Sequence, residues 1–134
     1  MAAEVPLVIV DAANVVGSVP DGWWRDRRGA AERLRDRLAD YARQGLPERA
    51  GLPAWAAGAP LELVLVVEGA AREVASVAEV RVVAAAGSGD DRIVAEAAAR
   101  PPGRPCLVVT ADRELRRRVA ALGAEVTGPR TVRP

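Results

Sequence analysis

The run Pro6-Leu-Val-Ile-Val-Asp11 is apolar, rich in β-branched residues, and stops on a carboxylate. A strand without polar alternation is one covered on both faces, the habit of parallel sheets flanked by helices. The pattern recurs. Leu61-Glu-Leu-Val-Leu-Val-Val67 leads into Glu68 and Gly69, and Pro105-Cys-Leu-Val-Val-Thr110 is followed two residues later by Asp112. Val80-Arg-Val-Val-Ala84 and Ala124-Glu-Val-Thr127 read as shorter strands.

Helical signals fill the intervals. Across 30–43, Ala31, Leu34, Leu38, Tyr41 and Ala42 recur at helical spacing, and Gly45 and Pro47 close the segment. Residues 46–60, broken by three prolines and two glycines, read as a loop or interrupted helix. A short helical piece is expected over 70–76. Gly87-Ser-Gly-Asp-Asp91 opens a helix to about Ala99, stopped by Pro101-Pro102, and a fourth helix runs over 112–122 before Gly123. Strands alternating with helices imply right-handed crossovers. The expected fold is a three-layer α/β/α sandwich on a mostly parallel five-stranded, Rossmann-like sheet, formed by one domain over 1–134.

Absent residue types narrow the chemistry. The chain has no His, and all 19 of its basic residues are Arg. Serine–histidine triads, cysteine–histidine pairs, histidine-bearing zinc sites, P-loop lysines and Schiff bases are therefore excluded. Cys106, the only cysteine, begins an apolar run and reads as a small buried side chain. The apolar stretch before Asp11 is too short to cross a bilayer and lacks the flanks of a leader, so a cytoplasmic protein with no membrane partner is expected.

Carboxylates, Arg, hydroxyls, backbone amides and a bound metal remain. Asp11, Glu68, Asp90, Asp91 and Asp112 all follow strand ends, and in open parallel sheets the working crevice lies beyond those ends, at the switch in strand order. Crowded there, the acids would repel one another and rise in pKa unless a cation joined them. An oxygen-seeking ion such as Mg²⁺ or Mn²⁺ suits such donors and can activate water against a phosphodiester. Set those five acids aside and the 19 arginines face the 13 that remain of 18, a balance of +6 suited to a polyanion. Ordinary structural roles stand beside these: Ser88 with Asp91 resembles a capping box, Asp90 suits a first helical turn, Thr110 reads as an N-cap with Asp112 in the turn after it, and Glu68 reads as a solvated loop acid. Asp11 differs, because an acid completing an apolar strand is costly unless paired or coordinated.

Val8-Ile-Val-Asp-Ala-Ala-Asn14, Gly87-Ser-Gly-Asp-Asp-Arg-Ile93 and Val108-Val-Thr-Ala-Asp-Arg113 together resemble the motifs of NYN domains, the PIN-like nuclease branch that includes YacP-like bacterial proteins. The resemblance spans nearly the whole chain. It implies a Mg²⁺- or Mn²⁺-dependent endoribonuclease in which Asp11 and Asp112 ligate metal, Asp90, Asp91 or both join them, and Asn14 orients the first carboxylate. Glu68 stands where many relatives carry Asp, and Arg116 where some carry a further acid.

In Pro20-Asp-Gly-Trp-Trp-Arg-Asp-Arg-Arg28, Trp23 and Trp24 suit stacking on unpaired bases, with Arg25, Arg27 and Arg28 meeting phosphates. The plainer reading packs one Trp against the first helix. Ser18 suits a phosphate or a turn; Arg113 and Arg116 suit an RNA backbone or a solvated helix face. The partner expected is single-stranded RNA, with a homodimer or a ribosome or RNA-processing complex left open. The alternatives are a catalytically inactive RNA-binding or adaptor module of the same fold, and a small-molecule phosphohydrolase, against which the lack of Lys and of a paired Asp-x-Asp counts.

Overall fold

A computed structural model describes residues 5–133. The chain runs β1 (Leu7–Asp11), α1 (Ala12–Val16), α2 (Arg27–Gln44), β2 (Glu62–Val67), β3 (Val80–Ala84), α3 (Gly89–Ala99), β4 (Cys106–Val109), α4 (Arg113–Ala120) and β5 (Glu125–Thr127). Single 3-10 turns occupy Trp23–Arg25, Ala54–Ala56, Gly69–Ala71 and Pro129–Thr131. The strands form one sheet in the order β3-β2-β1-β4-β5, and every pairing is parallel. Ile9 lies between Val64 and Val108 at the centre.

The unbroken apolar strands are explained by the two cores they feed. Val8, Val10, Leu63, Leu65 and Val109 pack on one face with Val15 of α1 and Leu34 and Leu38 of α2. Leu7, Ile9, Val64, Val66 and Val108 pack on the other with Ile93 and Ala97 of α3 and Leu115 and Val119 of α4. The expected three-layer sandwich is the observed one. No helix among the described residues is long and apolar enough to cross a membrane.

Three local expectations change. α2 begins at Arg27 because the Asp26 side chain caps it, accepting the N–H of Gly29 at 3.0 Å. α1 was not foreseen: five residues are too few for periodicity, and its start is fixed by Asp11, whose side chain accepts the N–H of Asn14. The helical piece expected over 70–76 shrinks to the turn Gly69–Ala71. Ser76 Oγ instead accepts the N–H of Val82 at 2.8 Å, and Val77 bridges to Val80, so this backbone serves the start of β3.

Gly45 ends α2 at φ 81° and ψ 169°, a conformation that is essentially glycine's alone. A Cβ there would stand 2.5 Å from the backbone N of Gly58 and 2.6 Å from that of Ala59. Gly45→Ala is therefore expected to cost about 2 kcal/mol, read as a lower urea midpoint at unchanged slope.

Candidate carboxylate site

Strand order puts the topological switch between β1 and β4, and the acids gather there. Asp11 closes β1 and is only 7 % exposed. Val10 pairs with Val109, so the next residues, Asp11 and Thr110, are neighbours across the switch. Thr110 Oγ1 donates to Asp11 Oδ2 at 3.0 Å, and the Asn14 backbone N–H reaches Oδ1 at 3.3 Å. Burial pushes the Asp11 carboxyl up to about 6; the two hydrogen bonds oppose the rise, and the negative fields of Asp90 and Glu68 add to it.

Asp90, in the first turn of α3, is also raised above the ordinary carboxylate range. Burial is the first cause, then the charges of Asp112 and Glu68, with Arg118 pulling the other way and the neighbouring Asp91 adding a smaller rise. Asp11 thus feels Asp90 and Glu68, and Asp90 feels Asp112 and Glu68, which sets these four acids within electrostatic reach as a chain at this end of the sheet. Asp91 lies outside it: its side chain is 76 % exposed and pairs with Arg118 at 3.0 Å, joining α3 to α4.

Three of these acids also hold the scaffold. Asp112, rather than Thr110, caps α4, with Oδ1 accepting the N–H of Leu115 at 2.9 Å. Glu68 Oε2 accepts the N–H of Gly89 at 2.5 Å, tying the end of β2 to the start of α3. A Cβ on residue 89 would stand 3.0 Å from that oxygen, so a side chain there would press Glu68 away. Ser88 caps α3 by accepting the N–H of Asp90 at 3.1 Å, an ordinary N-cap rather than the capping box expected with Asp91, whose carboxylate goes to Arg118. Asn14 meets Asp11 through its backbone; its side-chain Oδ1 accepts the N–H of Ala111 at 2.8 Å, fixing the loop before Asp112. Among the described residues no three acids already stand in a geometry that holds a metal ion.

Thr110 was read from sequence as a helix cap, and its larger role was missed. It is fully buried, donates to Asp11, and accepts the N–H of Asp112 at 3.1 Å. Only the pairing of β4 beside β1 reveals this. Thr110→Val keeps the shape and strands both partners, so a loss of about 1–3 kcal/mol at neutral pH is expected from urea unfolding.

No protein-family model matches this sequence, and no curated protein matches it. Solved structures do match. A crystal structure of Rae1 (YacP) from Bacillus subtilis superimposes with a TM-score of 0.68 and 18% identity, covering 97% of this chain and 71% of that one. A tryptophan-to-leucine mutant of the same protein gives 0.66 and 19%, over 94% and 70%. This chain has the YacP fold.

Around that YacP-like frame the candidate substrate residues part company. Trp23 packs against the α2-side core and meets Trp24 edge-on, ring centres 5.9 Å apart. Trp24 is 49% exposed, with the Arg25 guanidinium 5.9 Å from its ring centre. The plainer sequence reading thus holds for one Trp. A cleft of about 340 Å³, lined by Ala12, Trp23, Arg27, Glu68 and Gly87 among others, adjoins the acids. Arg28 is drawn elsewhere, to Glu32 and Glu73. Ser18 Oγ donates to the Val15 carbonyl at 2.6 Å, a turn bond. Arg113 is exposed at the start of α4, and Arg116 Nε donates to the Thr110 carbonyl at 2.7 Å.

Proposed function

We propose that this chain is a metal-dependent endoribonuclease of the NYN branch, hydrolysing phosphodiester bonds of single-stranded RNA with Mg²⁺ or Mn²⁺ bound by Asp11, Glu68, Asp90 and Asp112. The observation that carries the reading is Asp11: a buried carboxyl at the sheet's switch point, raised in pKa and facing the fields of further acids. The YacP fold and the three sequence motifs support it.

The donor set suits such an ion in two respects. All its donors are hard carboxylate oxygens, and among the described residues the charge of Arg118 lowers Asp90 without cancelling the rise that burial and its acidic neighbours cause. When bound, the ion would supply Lewis-acid relief of phosphate charge and a water of lowered pKa. The protein's own part is positioning. Thr110 fixes one oxygen of Asp11, while Asp112 and Glu68 each spend one oxygen on a backbone N–H and keep the second for a ligand. Trp24 and the Trp23-lined cleft offer surfaces for unpaired bases beside the reacting phosphate.

The test is cleavage of an unstructured RNA oligonucleotide, which should require Mg²⁺ or Mn²⁺ and stop in EDTA. Undiminished cutting in EDTA would overturn the metal reading. A second reading, a catalytically inactive RNA-binding module, draws on Arg116 and on the open spacing of the acids among the described residues. It expects RNA binding without metal and no cleavage under any divalent ion.

A further inference from the structure

Beyond the acids, on the β4–β5 side of the sheet, lies an open groove of about 1030 Å³. Arg49, Arg116, Arg130 and Arg133 line it, and none of its lining residues is acidic. Two of these arginines are pinned. Arg116 is held to the Thr110 carbonyl, and Arg133 to the Val16 carbonyl at 3.2 Å and to Asp21. The other two are not: Arg49 and Arg130 are exposed, and neither has an ion pair among the described residues. Ala111 lines the same groove and immediately precedes Asp112, so the groove's edge lies next to one of the proposed metal ligands.

We propose that this groove carries the sugar-phosphate backbone of a single RNA strand to or from the carboxylates, with Arg49 and Arg130 as its phosphate contacts. The inference deepens the ribonuclease reading and rests on it for the identity of the polyanion. Shape argues for a polymer, since small-molecule pockets enclose most of their ligand, whereas this groove is open. Charge argues for phosphates, because guanidinium forks match them and no carboxylate in the lining competes. The nearness of Asp112 argues against an acidic protein partner, whose own carboxylates would be repelled at that edge.

The experiment measures binding of a fluorescent single-stranded RNA in EDTA, across a salt series, to three full-length proteins. They are the wild type, Arg49→Ala/Arg130→Ala, and Arg43→Ala/Arg81→Ala, which removes equal charge by the β3 edge, where Arg43 pairs with Glu79 and Arg81 with Glu96. The groove double variant should bind at least tenfold more weakly, and its log–log salt slope should shrink by about 0.7 for each arginine lost. The control should match the wild type, and thermal melts should show all three folded. Equal binding by the groove variant, or displacement of RNA by polyglutamate as readily as by unlabelled RNA, would overturn the proposal. Metal-dependent cleavage by wild type is scored separately. Cleavage with groove-independent binding sinks the groove alone, whereas groove-dependent binding without cleavage sinks the nuclease reading and leaves the groove standing.

Discussion

An Asp11→Asn protein is expected to cleave RNA at least about 10²–10³-fold more slowly than wild type, the scale on which losing one electrostatic stabiliser slows a reaction. Asparagine keeps its oxygen for the Asn14 N–H and turns its amide NH2 to the Thr110 hydroxyl, which can accept as well as donate, so the change removes charge and leaves the scaffold. Asp112→Asn should behave alike, because asparagine is as good an N-cap as aspartate and can still accept the Leu115 N–H. The pair separates chemistry from folding: both variants should show native circular dichroism and cooperative melts while cleavage fails. Asp91→Asn is the internal contrast. Its carboxylate pairs with Arg118 outside the crevice, so cleavage should stay within a few-fold of wild type. Were Asp11→Asn to cut at the wild-type rate, the proposed metal site would be wrong.

The sheet was legible because its strands are so apolar: runs such as 61–67 and 105–110 can be satisfied only between two helical layers, and the observed cores use them that way. Acids at their ends were equally legible. What the sequence could not convey was which strands touch. Thr110 gains its role from lying beside Asp11 in the β1–β4 register, and no local pattern encodes a pairing across 99 residues. Asp90 and Asp91 are adjacent and chemically identical, and only the turn of α3 decides that one feels Asp112 while the other finds Arg118. Arg49 carries no local signal because it sits in a Pro- and Gly-rich loop, and its place in a groove of arginines arises only where that loop lies against the segment after β5. The structural roles of Asp112 and Glu68 engage one oxygen each on a backbone N–H and so do not by themselves bar the proposed ligand role of the other.

The same Asp11→Asn change that is expected to stop cleavage is also expected to stabilise the metal-free fold at neutral pH. Asp11 ionises at about 6 in the folded protein against an ordinary 3.8 in the unfolded chain. The folded state therefore holds its proton more tightly, and stability falls as pH rises between those values. Below about pH 3 both states are protonated and nothing is lost; above about pH 7 the buried carboxylate is charged and the full cost applies. At 1.36 kcal/mol per pKa unit that cost is about 3 kcal/mol. Asparagine does not titrate, so in EDTA the variant's urea stability should exceed wild type by up to that amount at pH 7.5, and the gap should narrow towards pH 4. Millimolar Mg²⁺ should then raise the wild-type melting temperature and leave the variant nearly unmoved, because an ion that binds the folded state stabilises it by mass action only where its ligands remain. Parallel stability curves from pH 4 to 8 would mean that Asp11 carries no such strain, and the physical reason for placing a cation in this crevice would go with it.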